Sequence, residues 1–232
     1  MAERGDKLYI GTNRGLSESV IGSMVRGLIA KDLTKEEAYA LIDTIINNNF
    51  GHDPVDKGGD IISYDRKTGE MKVLMTGEVG TSFRMAINYN DDIYIGSYAG
   101  MTNNIYRIDR DEKIEKVYET TSGTSMRAAC EHDGNLYFGG VDSTEELPEG
   151  YEDAAKLAIL KMDKENPSKW DRVADVSDFD PVYATNPAVK NSITSPVWDI
   201  VSYDGYIYAT LPYGHGFVCN LQIFDPVHRL WC

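Results

Sequence analysis

Three observations predict an all-β fold, a β-propeller of four-stranded antiparallel blades with about four blades present. One stretch is written twice: "GTSFRMAINYNDDIYIGSYAG" at 80–100 returns as "GTSMRAACEHDGNLYFGGVDS" at 123–143. The segments "KLYIGT", "DIYIGS", "NLYFGG" and "YIYATL" set a tyrosine at Tyr9, Tyr94, Tyr137 and Tyr208, and Tyr137 follows Tyr94 by 43 positions. Short apolar runs are joined by "YNDD", "HDGN" and "YDGY". Asp-Gly between apolar runs marks a two-residue hairpin, because both central residues need positive φ. Four short antiparallel strands recurring at about 40–50 residues are the pattern of a propeller blade.

Each unit reads as four strands, A to D. The A strands are "SFRMAINY", "SMRAACEH" and "PVWDIVSY", and the tyrosine segments are the B strands. The C strands "DIISYD", "NIYRID", "AILKMD" and "LQIFD" end in Asp65, Asp109, Asp163 and Asp225. The D strands are "EMKVLM", "KIEKVYE", "KWDRVADV" and "HRLWC". B strands are nearly continuous apolar runs, as in a sheet covered on both faces. C and D strands alternate more, as near a solvated rim. Residues 1–232 are read as one partial propeller domain. Its first unit starts at strand B and its last ends within strand D, so the first and last blades are expected to be incomplete. The chain is then expected to be a fragment of a longer propeller, or else an arc of four units.

Residues 17–49 change period. Val20, Ile21, Met24, Val25, Leu28 and Ile29 form one helical stripe, and Ala38, Leu41, Ile42, Ile45 and Ile46 form a second. Thr34 and Glu37 fit a capping box before the second stripe. The prediction is an α-helical hairpin inserted in the first blade. Residues 141–156 and 176–195 read as acidic loops. Asp175, Asp178 and Asp180 cluster where the second of these begins, but without the Gly and Glu of an EF-hand they read as solvated carboxylates, with calcium as the alternative.

The repeat wording is similar to that of two-component-regulator and quinoprotein-type propellers. "KLYIGTNRGL" with "ISYDRKTGEMKVL" resembles their "LWIGT…GL…YD…TG" pattern. Only Gly139–Gly140 is kelch-like, and the terminal Trp-Asp of a WD40 blade is missing. The quinoprotein resemblance implies a redox cofactor in the central channel, with lyase or hydrolase chemistry as another enzyme version. The regulator resemblance implies a ligand-sensing ectodomain. The residues themselves identify no cofactor.

The formal net charge of −14 argues against nucleic acid or anionic lipid as a partner. Cys130, Cys219 and Cys232 have no metal or disulfide spacing, and Cys130 reads as a buried small hydrophobe. No signal peptide is visible, and no apolar segment approaches the ~20 residues that span a bilayer.

In an up-and-down blade the B-to-C and D-to-A connections emerge at one end, which gathers the candidate site residues. Arg84, Arg127 and Trp198 each precede their tyrosine by ten positions. Two guanidinium groups near a channel mouth can clamp a carboxylate, phosphate or sulfate. Equally, each arginine can pin a neighbouring blade or pair with a carboxylate such as Asp199. His52 in "FGHDP" and His215 in "YGHGF" belong to the same end, as do Arg14, Tyr98 and Tyr213. No catalytic motif is spelled out. The reading is a binding module that presents a loop-rich face to a small anionic ligand or a protein partner.

Overall fold

The computed structural model describes residues 1–12, 33–34, 36–38, 40–41, 44, 58–78, 81–98, 104–119, 126, 128–141, 157–175, 197, 199–213, 218–225 and 230–231. At positions 98, 141, 157, 158, 175 and from 211 onward, the backbone alone is described.

The described strands form four antiparallel sheets of four, each in chain order. Sheet 1 holds β1 (Ala2–Arg4), β2 (Lys7–Gly11), β3 (Asp60–Asp65) and β4 (Met71–Thr76). Sheet 2 holds β5 (Ser82–Tyr89), β6 (Asp92–Tyr98), β7 (Asn104–Ile108) and β8 (Ile114–Glu119). Sheet 3 holds β9 (Ala128–His132), β10 (Asn135–Val141), β11 (Leu157–Met162) and β12 (Trp170–Asp175). Sheet 4 holds β13 (Asp199–Tyr203), β14 (Tyr206–Tyr213), β15 (Val218–Asp225) and β16 (Leu230–Trp231). The arrangement fits a β-propeller.

The first sheet is not short of its strand A, contrary to the sequence reading, while the last holds the strand D read at "HRLWC" as only the two residues of β16. β1 pairs with β2, Ala2 opposite Tyr9, and β16 pairs with β15. A strand of three residues is too short to show the alternation by which the longer ones are recognised.

The A–B hairpins form as expected. Asn90 and Asp91, Asp133 and Gly134, and Asp204 and Gly205 all have positive φ, and the flanking residues pair as Tyr89 with Asp92, His132 with Asn135 and Tyr203 with Tyr206. The repeated aspartates after the C strands cap the C–D turns. Asp65 Oδ1 accepts the Lys67 and Thr68 amides, Asp109 Oδ1 those of Asp111 and Lys113, and Asp163 Oδ1 those of Glu165 and Asn166. This is the local Asx geometry that makes Asp a turn residue.

A bulge recurs in the outermost strand of sheets 1, 2 and 3. Ile61 pairs with Met75 while Ile62 pairs with Val73, leaving Leu74 unopposed. Val117 and Val173 are the matching extra residues in β8 and β12. The consecutive apolar pairs at these points follow from it, since a bulge turns two neighbours toward one side.

Consecutive sheets pack face to face. Tyr9, Ile61, Phe83, Ile93, Ile95 and Ile108 are buried between sheets 1 and 2. Tyr94, Ile105, Leu136, Phe138, Leu160 and Met162 are among those buried between sheets 2 and 3. Strand alternation explains the division: each repeat tyrosine faces the following sheet, and its two neighbours face the preceding one. The glycine two positions after the tyrosine lies on the tyrosine's face, where the next sheet's backbone crosses. A Cβ on Gly96 would sit 1.9 Å from the Met126 carbonyl oxygen, and one on Gly11 2.5 Å from Phe83 Cβ. The crossing chains are bonded there, Phe83 N–H to Thr12 O at 3.0 Å and Met126 N–H to Ser97 O at 3.0 Å. The "YxG" wording therefore encodes a seam.

The first helical stripe of the predicted hairpin lies outside the described residues, as do both acidic loops apart from Val141 and the ends of their flanking strands. Of the second stripe, Ala38 and Leu41 are described, and they are helical together with Glu36, Glu37, Ala40 and Thr44. Its capping box is present: Thr34 N–H donates to Glu37 Oε2 at 2.8 Å, and Glu37 N–H to Thr34 Oγ1 at 3.2 Å.

Candidate functional site

Arg84 occupies the bulge of β5. Phe83 pairs with Ser97 and Met85 with Gly96, so Arg84 has no residue opposite it. Phe83 is buried in the seam with sheet 1, and Arg84 is exposed. An extra residue in one strand lets an apolar anchor and a charged side chain stand side by side without breaking the inward and outward alternation beyond them. Arg84 lies near the end of sheet 2 from which the B-to-C and D-to-A connections emerge.

Asp199 opens β13 at the same end of sheet 4 and is exposed. Its Oδ1 accepts the Ile200 amide at 2.9 Å, and its carbonyl accepts Thr210 Oγ1 at 3.4 Å. Burial pushes the neighbouring Cys130 thiol up to about 12, and the Asp199 carboxylate adds to the shift. Cys130 is thus buried and inert, as the sequence reading expected. Arg84 and Asp199 lie on the innermost strands of two sheets that have a third between them.

Tyr98 and Tyr213 end β6 and β14, which places their backbones at this same end. Arg14, His52, Arg127, Trp198 and His215 lie outside the described residues. So do Asp178 and Asp180, while Asp175 is described by its backbone alone. Among the described residues no group of three or more His, Cys, Asp or Glu is placed to hold a metal ion. No described helix is long and apolar enough to cross a membrane.

The residues just before the arginine positions carry a signal that the sequence reading passed over. Phe83, Met126 and Val197 are all buried, and each meets the backbone face of a Tyr-x-Gly glycine, Gly11, Gly96 or Gly139. The apolar residue before each of Arg84, Arg127 and Trp198 would have revealed it.

The opposite end of the sheets carries a polar cluster, also unforeseen. Arg4 donates through Nη2 to the Asp109 carbonyl and to Tyr9 Oη, both at 2.7 Å, and through Nη1 to the Asp91 carbonyl at 3.0 Å. Lys7 Nζ donates to Glu112 Oε1 at 2.8 Å, and Tyr9 Oη donates to the same oxygen at 3.2 Å. Burial raises the Glu112 carboxyl's affinity for a proton, yet the Lys7 hydrogen bond and charge outweigh it and hold the group below its ordinary value. The Glu112 hydrogen bond holds Lys7 above its own. Arg4, Lys7 and Tyr9 belong to sheet 1, and their partners Asp91, Asp109 and Glu112 to sheet 2. The cluster is a clasp across a seam.

Neither the family models nor the curated proteins contain a match to this chain. Among solved structures, a chain of the crystal structure of a nidogen/laminin complex is similar, with 12% identity and a TM-score of 0.46 over 77% of this chain. The match takes in 54% of that chain, so this sequence spans about half of its length.

Proposed function

We propose that the chain is a binding module that takes a protein partner on the end of the sheets bearing the B-to-C and D-to-A connections. The observation behind this reading is Arg84, an exposed residue carried on a bulge whose preceding residue, Phe83, is anchored in a seam. A cation carried on a rigid stretch of backbone suits a partner's carboxylate, since the main chain beneath it loses little freedom on contact. In its finer form, Arg127 repeats the contact one blade on and Trp198 offers a flat apolar surface at the third equivalent position. Asp199, Tyr98, Tyr213, Arg14, His52 and His215 then belong to the surrounding rim, and a small anionic ligand would use the same arginines.

The test is selection of peptides from a random displayed library on the immobilised chain. Acidic peptides are expected, and Arg84→Gln combined with Arg127→Gln is expected to weaken them at least tenfold with the melting temperature unchanged. Unaltered affinity overturns the reading. A collapse in melting temperature assigns the arginines to holding the blades together.

A further inference from the structure

The last residue of each of the first three innermost strands reaches across a seam, and the third does so differently from the other two. Arg4 donates to the Asp91 carbonyl at 3.0 Å, and Tyr89 Oη donates to the Gly134 carbonyl at 2.8 Å. Asp91 and Gly134 each lie three positions before a repeat tyrosine, so this contact recurs with the blade. The next residue in that series is Gly205. His132 departs from it, and its Nδ1 meets the side-chain hydroxyl of Ser202 at 2.9 Å. Ser202 holds the place of Asn88 and Glu131, six positions before the tyrosine, and both of those are exposed. A contact that only holds sheets together is expected to repeat, whereas this one does not.

The surroundings of the imidazole are those of a shielded base. His132 is 3% exposed, and its ring meets that of Tyr137 edge-on at 6.2 Å. Nε2 is buried with no hydrogen-bond partner among the described residues, and the Asp133 carboxylate stands 3.5 Å from it. A half-buried hydroxyl, an imidazole and a carboxylate thus follow one another, with the base oriented by a third group. The backbone adds a donor. Asp204 and Gly205, both at positive φ, close a two-residue hairpin in which Tyr203 and Tyr206 form the hydrogen-bonded pair. Ser202 and Ile207 are then the non-hydrogen-bonded pair, which directs the Ser202 amide away from β14, toward the edge that β13 forms. An amide beside an attacking hydroxyl can stabilise the oxyanion that the attack creates.

We propose that Ser202, His132 and Asp133 form a hydrolytic site for small carboxylic esters, at the hairpin end of the seam between sheets 3 and 4. Asp133 favours the tautomer with its hydrogen on Nε2, which leaves Nδ1 to accept from the hydroxyl. Ser202 Oγ attacks the acyl carbon as its proton passes to Nδ1, and the Nε2–H of the imidazolium faces the Asp133 carboxylate. The Nδ1 proton then moves to the leaving oxygen as the C–O bond breaks and the alcohol departs. Water, giving a proton to Nδ1, attacks the acyl-serine; the carboxylic acid leaves and the proton returns to Oγ. The hydroxyl lies on the strand face toward sheet 3, which suits a small acyl group and shuts out a folded chain.

The experiment uses the full chain, with p-nitrophenyl acetate as substrate and a fluorophosphonate as serine label. Release of p-nitrophenol is expected, together with a phosphonyl group that mass spectrometry places on Ser202. Ser202→Ala is expected to abolish both, and His132→Gln to slow labelling about 100-fold. Asp133→Asn is expected to slow it about fivefold, because that carboxylate is exposed and screened by water. Asparagine tolerates the positive φ at this position, so this variant decides the matter should His132→Gln fail to fold. An unlabelled Ser202, or a labelling rate that Asp133→Asn leaves unchanged, overturns the proposal. A lower melting temperature for Ser202→Ala in a chain that takes no label assigns the pair to holding the sheets together. None of these outcomes bears on the peptide test at Arg84, which lies at the other end of the sheets.

Discussion

The seam between sheets 1 and 2 and the seam between sheets 2 and 3 have the same backbone geometry and different chemistry. At the hairpin end the first is closed by the Arg4, Lys7, Tyr9 and Glu112 clasp. At the same end the second carries the Tyr89 Oη bond to the Gly134 carbonyl. Its interior holds a run of three rings, with Phe138 and Trp170 edge to face at 5.3 Å and Tyr118 and Trp170 at 6.0 Å, where the first seam has the Phe83 and Tyr106 pair at 5.7 Å. The difference teaches that burial of alternate residues makes a seam, and that charged groups trim its wet edge. One seam should then answer to salt and acid, and the other to volume.

The largest break in that contrast is expected from Phe138→Ala. Deleting a buried aromatic ring costs about 3–5 kcal/mol, read as a lower denaturant midpoint that is the same at low and high salt. Gly96→Ala attacks the same seam from the opposite direction, by overfilling it. Its Cβ would meet the Met126 carbonyl at 1.9 Å, a backbone atom that cannot rotate away, and overpacking costs about 1–3 kcal/mol. Gly5→Ala is a control for loss of the glycine itself, since it sits at positive φ with no atom within 4 Å; it should be the milder change. If the two glycine variants melt alike, crowding at the seam is not the reason for the repeated glycine.

Glu112→Gln sharpens the comparison from the polar side. The carboxylate is largely covered and bonded to Lys7, while Lys7 is 40% exposed and screened by solvent, so about 1 kcal/mol is expected near neutral pH. Because its folded carboxyl is held below the ordinary value, Glu112 contributes stability above the unfolded range and loses it as pH falls through the folded one. Wild type and Glu112→Gln should therefore converge in melting temperature below roughly pH 4, and also at high salt. A gap that persists in acid would refute the clasp. The smallest effect is expected from Asp65→Asn. Turn amides of Thr68 and Lys67 hold the Asp65 carboxyl low, so the substitution should flatten the acid limb of stability slightly without altering its salt dependence.

Much of the scaffold was legible in the sequence because its signals are local. The hairpins at Asn90–Asp91 and Asp133–Gly134 follow from residues that tolerate positive φ. The capping box at Thr34 and Glu37 satisfies amides within one turn. The first strand was missed because Ala2–Arg4 carries no period to detect. The bulges at Leu74, Arg84 and Val117 were missed because one extra residue reads as noise in an alternating pattern. Of the candidate site, the placement of Arg84 at the loop-bearing end was readable, while its standing beside a buried Phe83 was not.

The amino-acid sequence by itself determined which side chains share a face, because alternation along a strand is a property of the backbone alone. It thereby set the repeat, the turns and the tyrosine rows. Only the tertiary structure decided what each face meets, since the meaning of Gly96 lies in the carbonyl of Met126, thirty residues on, and the meaning of Tyr94 in Leu136 and Phe138 of the next sheet. A residue's parity is local chemistry, and its partner is a matter of how whole sheets are stacked.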